Sequence, residues 1–202
     1  LILMVDGDLR GRISGSGREP RQMEITTPRA VAVIHRQQNG GDAEFKVTVN
    51  PDKSSTIAVY QGVADVMTGD RTVRIEQNSA LTVKLDQSLS VTKPLPSRPE
   101  LIAPAESDRF LYRTLSPRIV FTWKEHPGAT RYHFVLARDQ AFQDVVLDEQ
   151  TSSAGFTHGS LKQGTYYWRV STLVDSHEGP FAGPLQLHQA QKRKPPLLVV
   201  NG

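Results

Sequence analysis

The chain has 202 residues with 24 Lys and Arg against 21 Asp and Glu, a formal charge of +3, and no cysteine. That length accommodates two ordinary domains with buried cores, and evenly scattered charge is not the basic stripe of a nucleic-acid surface. Without cysteine there are no disulfide staples, thiolate metal sites or cysteine nucleophiles. The compartment stays open, because an oxidising one permits disulfides without requiring them.

The sequence opens on an apolar run, LILMV at residues 1–5, far shorter than the roughly 20 residues that span a bilayer. It reads as the inside of a strand in a piece of a longer protein, and no membrane insertion is expected of it. Beyond it, apolar residues alternate with period two at Ile25, Val31, Val33, Phe45, Val47 and Val49, the pattern of half-buried strands. Turn signals separate these runs: Asn39-Gly40-Gly41-Asp42, Asn50-Pro51-Asp52, Thr68-Gly69-Asp70 and Gln77-Asn78-Ser79. Asn-Gly supplies positive φ and Pro-Asp presets a type I turn. Strand and turn repeat until about Thr92. Lys93-Pro94-Leu95-Pro96-Ser97-Arg98-Pro99 then holds three prolines at close spacing, which keep the backbone extended. The expected organisation is a first domain over 1–93, a linker over 94–99, a second domain over 100–188 and a polar tail over 189–202. In that tail Lys192-Arg193-Lys194 reads as a solvated segment, and the apolar run from Leu197 to Val200 as the start of a further domain.

The second domain carries the sharper pattern. Ile119, Phe121 and Trp123 alternate on one strand, Tyr132, Phe134 and Leu136 on the next, and Tyr166, Trp168 and Val170 on a third. Three strands with large inward residues make a sandwich core. Trp123 and Tyr132, then Leu161 and Gly164 leading into Tyr166-Tyr167-Trp168-Arg169-Val170, resemble the fibronectin type III family over residues 100–188. The resemblance implies a β-sandwich with a corner tyrosine, either Tyr166 or Tyr167. Strand parity favours Tyr166 as the inward one.

The first domain resembles the FecR family of bacterial envelope proteins. Three segments carry that resemblance: Glu24-Ile25-Thr26-Thr27-Pro28-Arg29-Ala30-Val31-Ala32-Val33, Ala43-Glu44-Phe45-Lys46-Val47-Thr48-Val49, and Thr56-Ile57-Ala58-Val59-Tyr60-Gln61-Gly62-Val63-Ala64-Asp65-Val66. Arg29 stands where the family usually has Gly. The resemblance implies a solenoid-like or twisted-sandwich β unit outside the cytoplasmic membrane of a Gram-negative-type cell. The fold class expected for the whole chain is therefore all-β: a FecR-like unit followed by a fibronectin type III-like sandwich. FecR relatives relay signals from an outer-membrane transporter to a sigma factor, but they end in a different receptor-docking domain. A fibronectin-type sandwich in that place resembles envelope proteins that often carry peptidoglycan-binding modules, and this discounts the relay.

Catalytic patterns are not found. His35, His126, His133, His158, His177 and His188 lack the spacing of metal sites. Ser14-Gly15-Ser16-Gly17 lacks the glycines that flank a nucleophile elbow. Asp6-Gly7-Asp8 lacks the remaining ligands of a calcium loop. Asp148 and Glu149 are strand neighbours that point to opposite faces, so they cannot flank one glycosidic bond. No cofactor, metal or enzymatic activity is expected.

One cluster follows from parity. If Tyr132, Phe134 and Leu136 face the core, His133 faces outward; the same alternation puts Tyr167 and Arg169 outside. On neighbouring strands these three form a cluster with the composition of an interaction surface, or one that merely covers the sheet. The expected function is a non-enzymatic periplasmic adaptor that binds an envelope protein through such a surface or an unpaired strand edge. The alternatives are a peptidoglycan- or glycan-binding module and a spacer without ligand.

Overall fold

The computed structural model describes residues 1–14, 22–36, 41–90, 93–159, 161–175 and 177–192. The chain is all-β and divides into two compact units, Leu1–Ser97 and Arg98–Gly202. Among the described residues no helix is long and apolar enough to cross a membrane.

In the first unit the strands are β1 (Ile2–Leu3), β2 (Gly7–Ile13), β3 (Gln22–Thr26), β4 (Val31–His35), β5 (Ala43–Val49), β6 (Ser55–Gln61), β7 (Val63–Thr68), β8 (Arg71–Glu76), β9 (Ser79–Val83) and β10 (Lys93–Pro94). They form two five-stranded sheets, ordered β1-β3-β4-β7-β8 and β10-β9-β6-β5-β2. The chain deals its hairpins to the two sheets in turn. β3 and β4 enter one sheet, β5 and β6 the other, and β7 and β8 return to the first.

Turn chemistry decides where each hairpin closes. Thr27 accepts the Ala30 amide on its hydroxyl oxygen at 3.1 Å, so the Thr-Pro segment is the β3–β4 turn. In the Asn50-Pro51-Asp52 turn, Asp52 accepts the Ser54 amide and hydroxyl at 2.9 and 2.6 Å, which holds its carboxyl below the usual range. Gly62, at φ +91°, is where the chain leaves β6 for the opposite sheet. A Cβ there would lie 2.6 Å from the His35 carbonyl oxygen.

Strict alternation builds the core. On β5, Ala43, Phe45, Val47 and Val49 are all buried, and they meet Ile25, Ile34, Val66 and Ile75 of the other sheet. Of the solenoid and the twisted sandwich implied by the FecR resemblance, the first unit is a sandwich. Its larger residues fit by local complementarity: Phe45 pairs with Gly11 across β5 and β2, and a Cβ on Gly11 would meet the Phe45 ring at 2.3 Å. The proline-rich segment is not free of this unit. Pro94 pairs with Ser79, and Leu95 is buried with Ala58, Tyr60 and Ala80.

The second unit contains β11 (Leu101–Ala103), β12 (Asp108–Tyr112), β13 (Ile119–Trp123), β14 (Arg131–Ala137), β15 (Val145–Thr151), β16 (Gly155–His158), β17 (Gly164–Val174), β18 (His177–Glu178) and β19 (Ala182–Gln191). β19 runs three residues past His188, into the stretch expected as polar tail. One sheet is β11-β13-β16; the other is β12-β19-β17-β14-β15, with β18 added beside β17. This is a fibronectin type III-like sandwich. The three expected strands, β13, β14 and β17, supply its centre. Phe121 lies 4.8 Å from Phe134 and 5.3 Å from Trp168, Trp123 lies 5.5 Å from Tyr132, and Phe134 stacks on Phe156 at 4.9 Å. Tyr166 is the corner tyrosine: its ring is buried and its hydroxyl donates to the Lys162 carbonyl at 2.9 Å.

Candidate functional site

The outer face of the larger sheet in the second unit carries the sequence-derived cluster. β14 and β17 are antiparallel neighbours, with His133 opposite Ser171, Val135 opposite Arg169 and Ala137 opposite Tyr167. His133, Arg169 and Tyr167 therefore share that face in successive rows, as strand parity demands.

Side chains that parity could not place then organise the cluster. The Arg169 guanidinium sits between two rings, 3.9 Å from the Phe142 centroid and 4.2 Å from that of Phe181. Phe142 comes from the β14–β15 loop, where it holds φ +58°, an unusual conformation for an aromatic residue. Asp139 braces this loop by accepting the amides of Gln143 and Asp144, at 3.0 and 2.6 Å. Those backbone hydrogen bonds hold its carboxyl below the usual range. Beside Arg169 and Tyr167 on this face, their cross-strand neighbours Val135 and Ala137 are buried although they point away from the main core. The middle of this face is thus a small second core.

His133 is also internally engaged. Nδ1 lies 2.8 Å from Glu178 Oε1 and Nε2 lies 2.6 Å from Asp148 Oδ1. Phe181 packs on its ring at 5.2 Å. Phe181 thus joins His133 and Arg169, whereas Tyr167 sits further along β17, half-buried, with Gln186 of β19 as its other cross-strand neighbour. Asp148 was within reach of the sequence, since the alternation along β15 puts it on the same face. Phe142, Glu178 and Phe181 lie in loops or a two-residue strand without periodicity, so no pattern announced them.

The other motifs are dispersed. His35 pairs with Asp65 at 3.1 Å in the first unit, and His188 lies 3.1 Å from the Thr165 hydroxyl in the second. Gly7 turns the chain into β2 at φ +78°, with Asp8 3.3 Å from Lys46. Ser14 offers its carbonyl to Arg36 at 2.8 Å. Residues 15–17, 39–40, 193–194 and 197–200 lie outside the described residues. Among the described residues no three His, Asp or Glu side chains converge as metal ligands would.

A second surface lies on β1. Leu1, Leu3 and Val5 are 88, 72 and 62% exposed, while Met4 between them is buried. β1 is an edge strand, parallel to β3, and Met4 donates to Thr26 at 2.9 Å. By alternation along a parallel ladder, Leu3 turns its backbone groups to the open side. The other edges of the first unit are guarded. β8 carries Arg71, Arg74 and Glu76, β2 carries Asp8, Arg10 and Arg12, and β10 contains Pro94, whereas in the second unit β15 carries Asp148 and Glu149 but the edges β11 and β16 carry neither charge nor proline. Charge and proline are the usual means of keeping an edge from pairing.

No family model and no curated protein matches the chain. Solved structures to which it is similar include a Fn3-like protein from Clostridium thermocellum, 14% identical, with 50% of this chain and 95% of that one covered at a TM-score of 0.32. The FN1-FN3 domains of chicken CNTN1 are 11% identical, with 84% and 97% covered at a TM-score of 0.36. The fibronectin type III-like assignment stands on the strand order and register of the second unit.

Proposed function

We propose that the chain is a non-enzymatic adaptor of the bacterial cell envelope, in which the first unit binds a protein partner by strand addition and the second spaces or presents it. The observation that carries this reading is β1: an apolar edge without charge or proline, in a unit whose other edges carry them. An extended partner segment would gain ladder hydrogen bonds there and cover Leu3. The three segments that resemble the FecR family support placement in the periplasm, and a sandwich braced on its outer face by Arg169 and His133 suits a rigid spacer. The cluster of His133, Tyr167 and Arg169 then contributes through its rim, at Tyr167 and Phe142.

Affinity capture from a Gram-negative envelope extract tests this. The wild-type chain is expected to retain a specific protein that Leu3→Lys loses, with the variant's melting temperature nearly unchanged because the side chain is exposed. Equal capture by both chains would remove β1 from the account. Recovery of the native protein from the cytosol on cell fractionation would remove the envelope.

A further inference from the structure

β18 and the three residues after it run beside the end of β17 as its antiparallel partner and carry Glu178 and Phe181 onto the outer face of the sheet. Gly179 donates its amide to the Thr172 carbonyl at 2.9 Å, and Phe181 packs against His133 and Arg169. The Glu178 side chain is 8% exposed; its Oε1 accepts the Ser171 hydroxyl at 2.6 Å and lies 2.8 Å from His133 Nδ1. The other ring nitrogen of His133 lies 2.6 Å from Asp148. A neutral imidazole has one N–H and one lone pair, whereas an imidazolium has two N–H donors. Between two carboxylate oxygens at these distances, the neutral ring would set a lone pair against a lone pair on one side. The charged ring donates to both.

We propose that protonated His133 is a latch holding residues 177–181, the strap, against the end of β17, and that the strap loosens as rising pH removes the proton, uncovering the Phe181 ring. The charged groups facing His133 are Asp148 on β15 and Glu178 on β18, with Arg131 two residues back on β14 and Arg169 on β17. Arg131 leans on Gln150 at 3.4 Å, and Arg169 is held between its two rings. Burial is the largest single influence on His133 and lowers its pKa. The hydrogen bonds and charges of Glu178 and Asp148 together outweigh burial and hold the pKa above the ordinary 6.5. The folded chain therefore binds this proton more tightly than the unfolded one. The latch's contribution is fully present below 6.5 and is lost as pH rises through the raised folded value.

The test is NMR on the full chain across that range, following the His133 imidazole, the Gly179 amide and the Phe181 ring. All three are expected to move with one midpoint above 6.5. Asp148→Asn, at an exposed position, should lower that midpoint, and His133→Gln should abolish the pH dependence of the strap signals. A His133 midpoint at or below 6.5 would overturn the proposal. So would strap signals that stay still while His133 titrates.

Discussion

The two units solve the same problem, two sheets packed face to face, with different side chains. The first is filled by Ile, Val, Leu, Ala and Met around a single phenylalanine, Phe45; the second is an interlocked set of Phe121, Trp123, Tyr132, Phe134, Phe156, Tyr166 and Trp168. Aliphatic strands stack in many registers, so their fit depends on local devices such as Gly11 opposite Phe45. Large rings fit in few arrangements, which makes the second unit's register a property of a handful of residues. Outside the cores the contrast reverses. The first unit leaves an apolar edge uncovered at β1, and the second covers the outer face of its larger sheet with the rings of Phe142 and Phe181.

The sharpest way to break this contrast is Trp168→Ala. Its ring is fully buried against Phe121 and Phe134, so the loss should be about 3–5 kcal/mol. Hydrogen exchange read by mass spectrometry should speed up through residues 101–191 and stay unchanged in the first unit. Spread of the effect across both would deny that the cores are separate. Gly11→Ala comes next, at about 1–3 kcal/mol, because the added methyl would collide with the Phe45 ring. Denaturant melts should show this loss, and Phe45→Leu in the same chain should recover part of it by making room. The smallest expected effect is Tyr166→Phe, which removes one hydrogen bond to the Lys162 carbonyl. A loss of about 0.5–1.5 kcal/mol in the same melts, confined to the second unit, would fit that role.

This difference between the cores also explains how much of the molecule was legible in the sequence. Aromatic alternation placed β13, β14 and β17, and parity alone picked Tyr166 over Tyr167 as the corner tyrosine. In the first unit alternation gave the strands but not their distribution between sheets. Nothing in Gln61-Gly62-Val63 distinguishes a hairpin from the crossing between sheets that Gly62 makes. The first unit runs on to Ser97, past the 93 expected, for a related reason: Pro94 and Leu95 sit in a proline-rich string that reads as linker, yet Leu95 is buried in a small outer cluster. At the candidate site, parity put His133, Tyr167 and Arg169 on one face. It could not show that Phe142 and Phe181 clasp Arg169, because aromatic residues in irregular segments carry no period.

The adaptor account turns on whether a partner adds a strand at β1, and amide exchange at single-residue resolution in the captured complex tests that most directly. The account predicts that the Leu3 amide, on the open side of the edge strand, exchanges markedly more slowly in the complex than in the free chain, while exchange along β8 is unchanged. Unaltered exchange at Leu3 in a complex that has formed would place the partner elsewhere and contradict the account.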